Sequence, residues 1–566
     1  MLKQFWRTEC FPIFLAILLT AWNVPKPLVI DDSAYWEYAR QSAKNPWDPY
    51  GFSLNWYQYR EPAMEILAPP LVPFWWGRGI ALGLTEPWQW KCWFFPFNWC
   101  FARAVWSLAR RFAPAHIRST TLLIVLSPTI SPSVNLMLDV PALGLGLMAL
   151  AILTKPITIS RMILSGIFLA LAMETKYIAL VWFPMSVLFA WANRQILFGF
   201  GVVGIASALV IALEWALAVQ YGVSHFWFHL QQSGGIHASG TSWWQPILLK
   251  LQLASPLLGY LGGLSPMLIL AAGTFYPMSK RVMIGILIGI LGLLASIALV
   301  PDRYAIWTTH PETGAARLNL TSSVLGILSM GLLVVWAIAG LRLAGRVRRW
   351  VRTRQRWDRW TIVLVLWWWI ELAGYFALTP FPAARRVFGI TVVTTLLLMR
   401  AMPVWSDPIR KRILVTGSLL LAMIVAGLDL AEAFVERNAA RMAKTWIQEH
   451  STEPEPTIWF TGHWGFQFAA QQVGMLPIHP DETIAQAGDW LVLPDERLRP
   501  HAQEIAIDRL PITPITAFEQ DLPWAVQTLP TLYGGRSPFE RVEWPRMVVR
   551  IYRVETTTRL IAPRPS

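Results

Sequence analysis

The chain has 566 residues, 55% of them hydrophobic and only 14% charged, with a mean hydropathy of +0.42. A soluble domain carries about 25% charged residues, so this composition excludes an ordinary soluble globular protein. The net charge of +14 does not point to nucleic acid, because most Arg and Lys fall in short loops between apolar segments, where they act as orientation signals.

The first apolar segment, Cys10–Leu28, follows a short basic start at Lys3 and Arg7. It lacks a small-residue cleavage site and many spans follow, so it reads as an uncleaved first helix rather than a signal peptide. With the N-terminus taken as cytoplasmic, residues 31–88 form a long external loop whose aromatic and Pro content suits amphipathic segments. Further spans are expected near 89–109, 119–137, 141–153, 162–174, 178–192, 196–218, 251–276, 282–300, 321–341, 361–378, 387–404 and 413–430. Every strongly basic loop then lies on one side, including Arg110 and Arg111, Lys155 and Arg161, Arg194, the run from Arg342 to Arg359, and Arg410 to Arg412. Such consistency is what the positive-inside bias produces. Many of the 33 Trp residues cluster near segment ends, where their rings favour the headgroup region.

After residue 431 the tail is rich in charge and proline and has no apolar run of membrane length. Short apolar runs (Thr457–Phe460, Trp490–Leu493, Met547–Val554) alternate with a helical stretch near 465–474. The expected fold is a polytopic α-helical membrane protein. A transmembrane domain over 1–431, with about thirteen helices of membrane-crossing length, precedes a small α/β extracytoplasmic domain over 432–566. Cys10, Cys92 and Cys100 show neither metal-ligand spacing nor a disulfide framework.

Ionisable residues at membrane edges are the sharpest chemical signal, because a charge beside hydrocarbon is costly. Asp31 and Asp32 open the first external loop, and Asp139 stands alone at the external end of a hairpin. Helix capping accounts for an acid at such a place, but acids delivered to one face of a bundle also make a base with its supporting group. Lys176, Arg385 and Arg386 are basic residues on the external side. Snorkelling explains one such residue; together they suit a phosphate leaving group. His225 and His229 are four apart and share a helix face, with His237 nearby. A polar, substrate-facing loop is favoured there over a metal site.

The ordered set Asp31-Asp32-Ser33-Ala34-Tyr35, Pro46-Trp47-Asp48-Pro49-Tyr50-Gly51-Phe52, Pro69-Pro70-Leu71, Ser127-Pro128, Met137-Leu138-Asp139-Val140-Pro141 and Thr175-Lys176-Tyr177, with the tail segment from Trp459 to Gln467, spans nearly the whole chain. It resembles the bacterial branch of the protein O-mannosyltransferase-like glycosyltransferases, related to the aminoarabinose transferases that modify lipid A. The resemblance implies a C-type glycosyltransferase fold in the inner membrane. It also implies inverting transfer of a sugar from a polyprenyl phosphate donor to a lipid, glycan or protein acceptor outside the cytoplasm. Asp31 would be the general base, Asp139 the supporting acid and Asp32 the alternative base. Lys176 with Arg385 or Arg386 would meet the donor phosphate, and Tyr35, Glu61, Tyr177, His225 and His229 would line the substrate loops. No cofactor is implied, and a divalent cation is left open. The chain departs from the pattern at Ala68, where relatives carry a polar residue, and after Arg386, where Val387-Phe388-Gly389 replaces a Tyr and Pro element. The alternatives are a transporter or lipid flippase, for which Glu214 and Glu371 are the intramembrane acids, and a membrane scaffold whose tail binds a partner.

Overall fold

The computed structural model describes residues 2–56, 58–235, 257, 260, 307–309, 316–318, 358–379, 383–401, 408–495, 503–522, 528–533 and 546–563. Apart from Leu257 and Tyr260, the expected spans at 251–276, 282–300 and 321–341, the arginines from Arg342 to Arg356, and His237 lie outside these residues.

Proline decides where the early helices stop. The first helix, Leu2–Asn23, ends five residues before the expected Leu28. Pro25 and Pro27 follow it, and each removes a backbone donor and turns its predecessor away from helical geometry. The buried segment that follows reaches Ile30, whose φ of 52° turns the chain into the helix Asp32–Lys44. The expected span 119–137 is likewise helical only over Ile117–Val125. Residues 126–138, which carry Pro128 and Pro132, are irregular and buried throughout. Irregular backbone survives at such depth only when protein groups satisfy it. Here Ile130 N–H donates to Ser127 Oγ (3.2 Å) and Ser133 Oγ donates to the Thr129 carbonyl (2.8 Å).

The helices Phe95–Phe112, Asp139–Ile152, Ile159–Met173, Trp182–Ala192, Ile196–Tyr221, Arg359–Leu378 and Phe388–Ala401 pack into one apolar bundle. Among the described residues, Ile196–Tyr221 and Arg359–Ala377 are long and apolar enough to cross a membrane. The first of these leaves Leu197 79%, Ile211 65% and Trp215 70% exposed, a surface suited to hydrocarbon rather than water. Basic groups gather at one end of the bundle: Arg111 lies over the Trp360 ring, Arg359 donates to the Trp191 carbonyl, and Arg400 pairs with Asp358. Arg385 precedes the helix Phe388–Ala401, whose far end carries Arg400, while Asp139 opens the helix Asp139–Ile152 and Lys176 follows Ile159–Met173.

The division expected at residue 431 falls inside one continuous helix, Pro408–His450. Residues 431–450 contain neither Gly nor Pro, so nothing local stops it. Its far half covers a five-stranded mixed sheet. The strand Ile458–Phe460 runs parallel to both Leu476–Pro477 and Trp490–Asp495, and Met547–Val554 pairs antiparallel with Trp490–Asp495 and with Ile512–Gln520. Val435, Ala439, Ala443 and Ile447 of the long helix pack on Phe460, Val492, Val549 and Ile551. The helix Trp464–Gln472 fills the angle between sheet and bundle: Phe468 meets Trp36 edge to face at 5.0 Å. Gly465 permits this approach, because a Cβ there would lie 2.7 Å from the Leu28 carbonyl oxygen and collide with the Glu436 carboxylate.

A buried ion pair ties the first helix exit to the long helix. Lys26 Nζ is 2.6 Å from Asp429 Oδ2, both side chains are 2% exposed, and the same ammonium donates to the Pro132 carbonyl (3.0 Å). Removing one member of a buried pair strands the other charge and costs about 3–5 kcal/mol, whereas an apolar replacement of both is often neutral. Lys26→Met and Asp429→Leu are each expected to lower the unfolding midpoint in detergent by several degrees, with the double variant recovering most of the loss. Equal losses that simply add would show that the two side chains do not act as a pair.

Candidate active site

Four separate segments deliver one charged cluster. Asp31 occupies the cap position of the helix Asp32–Lys44, yet its side chain makes no capping hydrogen bond. Its Oδ2 instead accepts from Arg385 Nη1 at 2.8 Å. The same Nη1 lies 4.0 Å from Asp139 Oδ2, and Asp139 Oδ1 accepts from Lys176 Nζ. Asp139 is the first residue of its helix, Lys176 stands in the turn after Ile159–Met173, and Arg385 lies in a short 3-10 turn before Phe388–Ala401. Arg386 and Tyr35 are within electrostatic reach of both acids. The cluster is mostly covered: the side chains of Asp31, Arg385 and Asp139 are 14%, 10% and 5% exposed.

Charge within this group is unbalanced. Lys176, Arg385 and Arg386 face Asp31 and Asp139, three cations against two carboxylates, which leaves one positive charge. Burial pushes the Lys176 ammonium down from its ordinary pKa; Asp139 opposes this, but Arg385 and Arg386 reinforce it. An arriving anion would relieve that strain, since an opposite charge close by favours the charged form.

Asp32 belongs elsewhere. It is fully buried, and its Oδ2 accepts from Val29 N–H (3.0 Å) and from Asn135 Nδ2. Lys91 and Lys26 are the cations near it. The structure therefore ties Asp32 to the irregular segment 126–138, while its neighbour Asp31 reaches Arg385.

The substrate-loop residues form a second group. Tyr177 donates to Glu214 Oε1 (2.8 Å) and its hydroxyl also meets His225 Nδ1. His225 stacks on Tyr50 with ring centroids 4.8 Å apart, and His229 Nε2 lies 3.2 Å from His225 Nε2. Glu214 also accepts from Ser224 Oγ (2.7 Å) and Phe226 N–H (3.0 Å). Among the described residues no group of three potential ligands forms a metal site. Glu61 sits apart, in a hairpin where it pairs with Leu54. Glu371 accepts from the Trp367 indole (2.9 Å), and its carboxylate occupies the place a side chain at Gly389 would take.

Reading the residues in order overlooks Lys26, Asp429, Asn135 and Tyr533. A signal existed for the first two, a lone cation and a lone acid in apolar stretches, which must find partners. Tyr533 had none: it lies in the tail, yet it is 1% exposed and packs against the bundle.

No protein-family model matches the chain, and no curated protein matches it significantly. Among solved structures it is similar to the archaeal oligosaccharyltransferase AglB from Archaeoglobus fulgidus, in complex with an inhibitory peptide and a dolichol-phosphate. That similarity has a TM-score of 0.43 and 14% identity, and covers 84% of this chain and 64% of that one. The chain thus spans less than two thirds of the archaeal enzyme. It is also similar to ArnT from Cupriavidus metallidurans in the apo state, with a TM-score of 0.41 and 14% identity over 95% of this chain and 97% of that one.

The histidine pair carries a pH signature. Burial pushes His225 down to about 3 and His229 to about 4, against about 6.5 in an unfolded chain. Between these values the unfolded state binds protons that the folded state refuses, so stability falls as pH drops below 6.5. The unfolding midpoint is expected to decline from pH 6.5 to pH 4 in the wild type and to decline less steeply in His225→Asn/His229→Gln. Parallel slopes for the two proteins would contradict this placement of the pair.

Proposed function

We propose that the chain is a membrane glycosyltransferase that moves a sugar from a polyprenyl phosphate donor to an acceptor hydroxyl on the extracytoplasmic side of the inner membrane. The observation that carries the reading is the convergence of Asp31, Asp139, Lys176 and Arg385, from segments far apart in the chain, into one partly covered charged cluster. The order of motifs that resembles the O-mannosyltransferase-like enzymes supports it independently.

Each group has a part in this scheme. Asp31 Oδ1 makes no hydrogen bond among the described residues and takes the proton of the acceptor hydroxyl. The acceptor oxygen attacks the anomeric carbon as the bond from that carbon to the phosphate oxygen breaks, with inversion. The electron pair leaves on the phosphate, where Lys176 and the arginine pair meet it; cations aimed at developing charge lower the barrier. Arg385 orients Asp31, and Asp139 holds Arg385 and Lys176 at their spacing. Tyr35, within electrostatic reach of Asp31 and Asp139, lies nearest this centre; Tyr177 and the hairpin around Glu61 stay with the substrate loops that the resemblance implies. The tail beyond the long helix lies outside the cytoplasm, with the N-terminus inside, in keeping with the basic groups at the opposite end of the bundle. In the transporter alternative Glu214 and Glu371 carry the function, but both already hold local partners.

Two outcomes test this reading. Purified protein should release polyprenyl phosphate from a matching polyprenyl phosphate-sugar in the presence of acceptor. Asp31→Asn should lower kcat by about a hundredfold or more, the usual contribution of a positioned base, with donor binding retained; equal release by both proteins would remove Asp31 from this role. A cysteine at Ser451 should react with an impermeant maleimide in intact cells whose outer membrane is permeabilised, and labelling only after lysis would reverse the topology.

A further inference from the structure

One side chain of the tail enters the charged cluster without being charged itself. The segment Thr528–Tyr533 leaves the sheet region and lies against the bundle. Glu432, on the long helix, receives it: Glu432 Oε2 accepts from Thr528 N–H (2.6 Å), Thr528 Oγ1 and Leu529 N–H (3.3 Å). Two of these donors are open amide groups at the start of the turn Leu529–Leu532, which a carboxylate satisfies well; the third is the Thr528 hydroxyl. The turn continues to Tyr533, whose amide donates to the Leu529 carbonyl (2.9 Å). Its hydroxyl lies 3.4 Å from the Pro132 carbonyl oxygen.

The Tyr533 ring then lies close to two cations. Lys26 Nζ is 5.7 Å from its centroid, and Arg385 Cζ is 5.8 Å from it. Both distances fall within the range in which a ring face attracts a cation, and the attraction grows when the pair is withdrawn from water, as here. Lys26 is already fixed by Asp429, so one of the two cations beside the ring is held in place. The ring limits where the Arg385 guanidinium can swing. The guanidinium lies 2.8 Å from Asp31 and 4.0 Å from Asp139, so a ring packed beside it bears on which acid it meets more closely.

We propose that Tyr533 is a positioning residue for Arg385, so that the tail completes the reaction centre instead of serving only as a separate appendage. This deepens the transferase reading and rests on it. The tail supplies no reacting group; its ring holds the guanidinium that orients Asp31 and faces the departing phosphate.

The test uses full-length protein in nanodiscs and two readouts. The first is thermal unfolding of wild type, Tyr533→Leu, Arg385→Met and the double variant. A contact between the two side chains makes the losses non-additive; strictly additive losses would overturn the contact. The second is polyprenyl phosphate release. Tyr533→Leu should lower kcat about thirtyfold, the rate equivalent of one desolvated cation–π contact, with KM within about twofold of wild type, because the ring touches the positioning group and not the donor. Tyr533→Phe keeps the ring face and should restore wild-type kcat. Should Tyr533→Leu not yield folded protein, Glu432→Gln loosens the same segment from a distance and should show the same fall in kcat. A wild-type kcat in the folded Leu variant, or a Phe variant as slow as Leu, would overturn the role of the ring. Non-additive unfolding in a wild type that releases no polyprenyl phosphate from any donor would overturn the transferase reading, and with it the catalytic purpose of a contact that nevertheless exists.

Discussion

Charge at the edge of an apolar bundle has to be neutralised by other charge, and in this protein that requirement runs through Arg385. Its guanidinium joins Asp31 at the start of the helix Asp32–Lys44 to Asp139 at the start of another, and Asp139 in turn holds Lys176. Each of these residues sits at a helix end, where the backbone leaves polar groups open. Water is largely kept from the cluster, so each ion depends on the next. A covered, mutually dependent cluster is also a preorganised one: its dipoles and charges are set before a substrate arrives, which is the condition under which electrostatic stabilisation lowers a barrier.

A second buried network stands behind the first. Lys26 pairs with Asp429, Lys91 donates to the Asn23 and Lys26 carbonyls, and Asp32 takes up Val29 N–H and Asn135. Together these groups fasten two segments that proline keeps from being helical, 24–30 and 126–138, to the start of the helix Asp32–Lys44. The position of Asp31 follows from this anchoring. Its neighbour Asp32 is pinned inward, and the helical turn between them sends Asp31 toward Arg385. Adjacent acids thus acquire different work from their surroundings alone.

The tail is tied to this arrangement at two places. Gly465 lets the helix Trp464–Gln472 sit against Leu28, three residues before Asp31, and Tyr533 lies over Lys26 and Arg385. The long helix Pro408–His450 bears on both, through Glu436 at Gly465 and Glu432 at Thr528. A helix that carries sheet-packing residues along one stretch and network acids along another makes the sheet and the charged cluster mechanically continuous.

The amino-acid order alone determined that this is an apolar, multi-segment chain, because length and hydropathy are local properties of a stretch of residues. It also singled out Asp31, Asp139, Lys176 and the Arg385–Arg386 pair, since an ionisable group at the end of an apolar run is visible as a cost before its partner is known. Proline positions were equally legible, yet the spans drawn through Pro25, Pro27, Pro128 and Pro132 ran too long, because the apolar character of these segments outweighed their missing donors. Only the tertiary structure decided which partner each charge finds. Asp31 and Arg385 are 354 residues apart, and no local pattern distinguishes Arg385 from Arg386, or the place of Asp31 in the charged cluster from the burial of Asp32 beside Asn135. Nor does any local pattern reveal that Tyr533 from the tail meets Arg385. Pairing is fixed by where chain segments converge, and convergence is set by packing of the whole bundle, which a sequence read stretch by stretch does not contain.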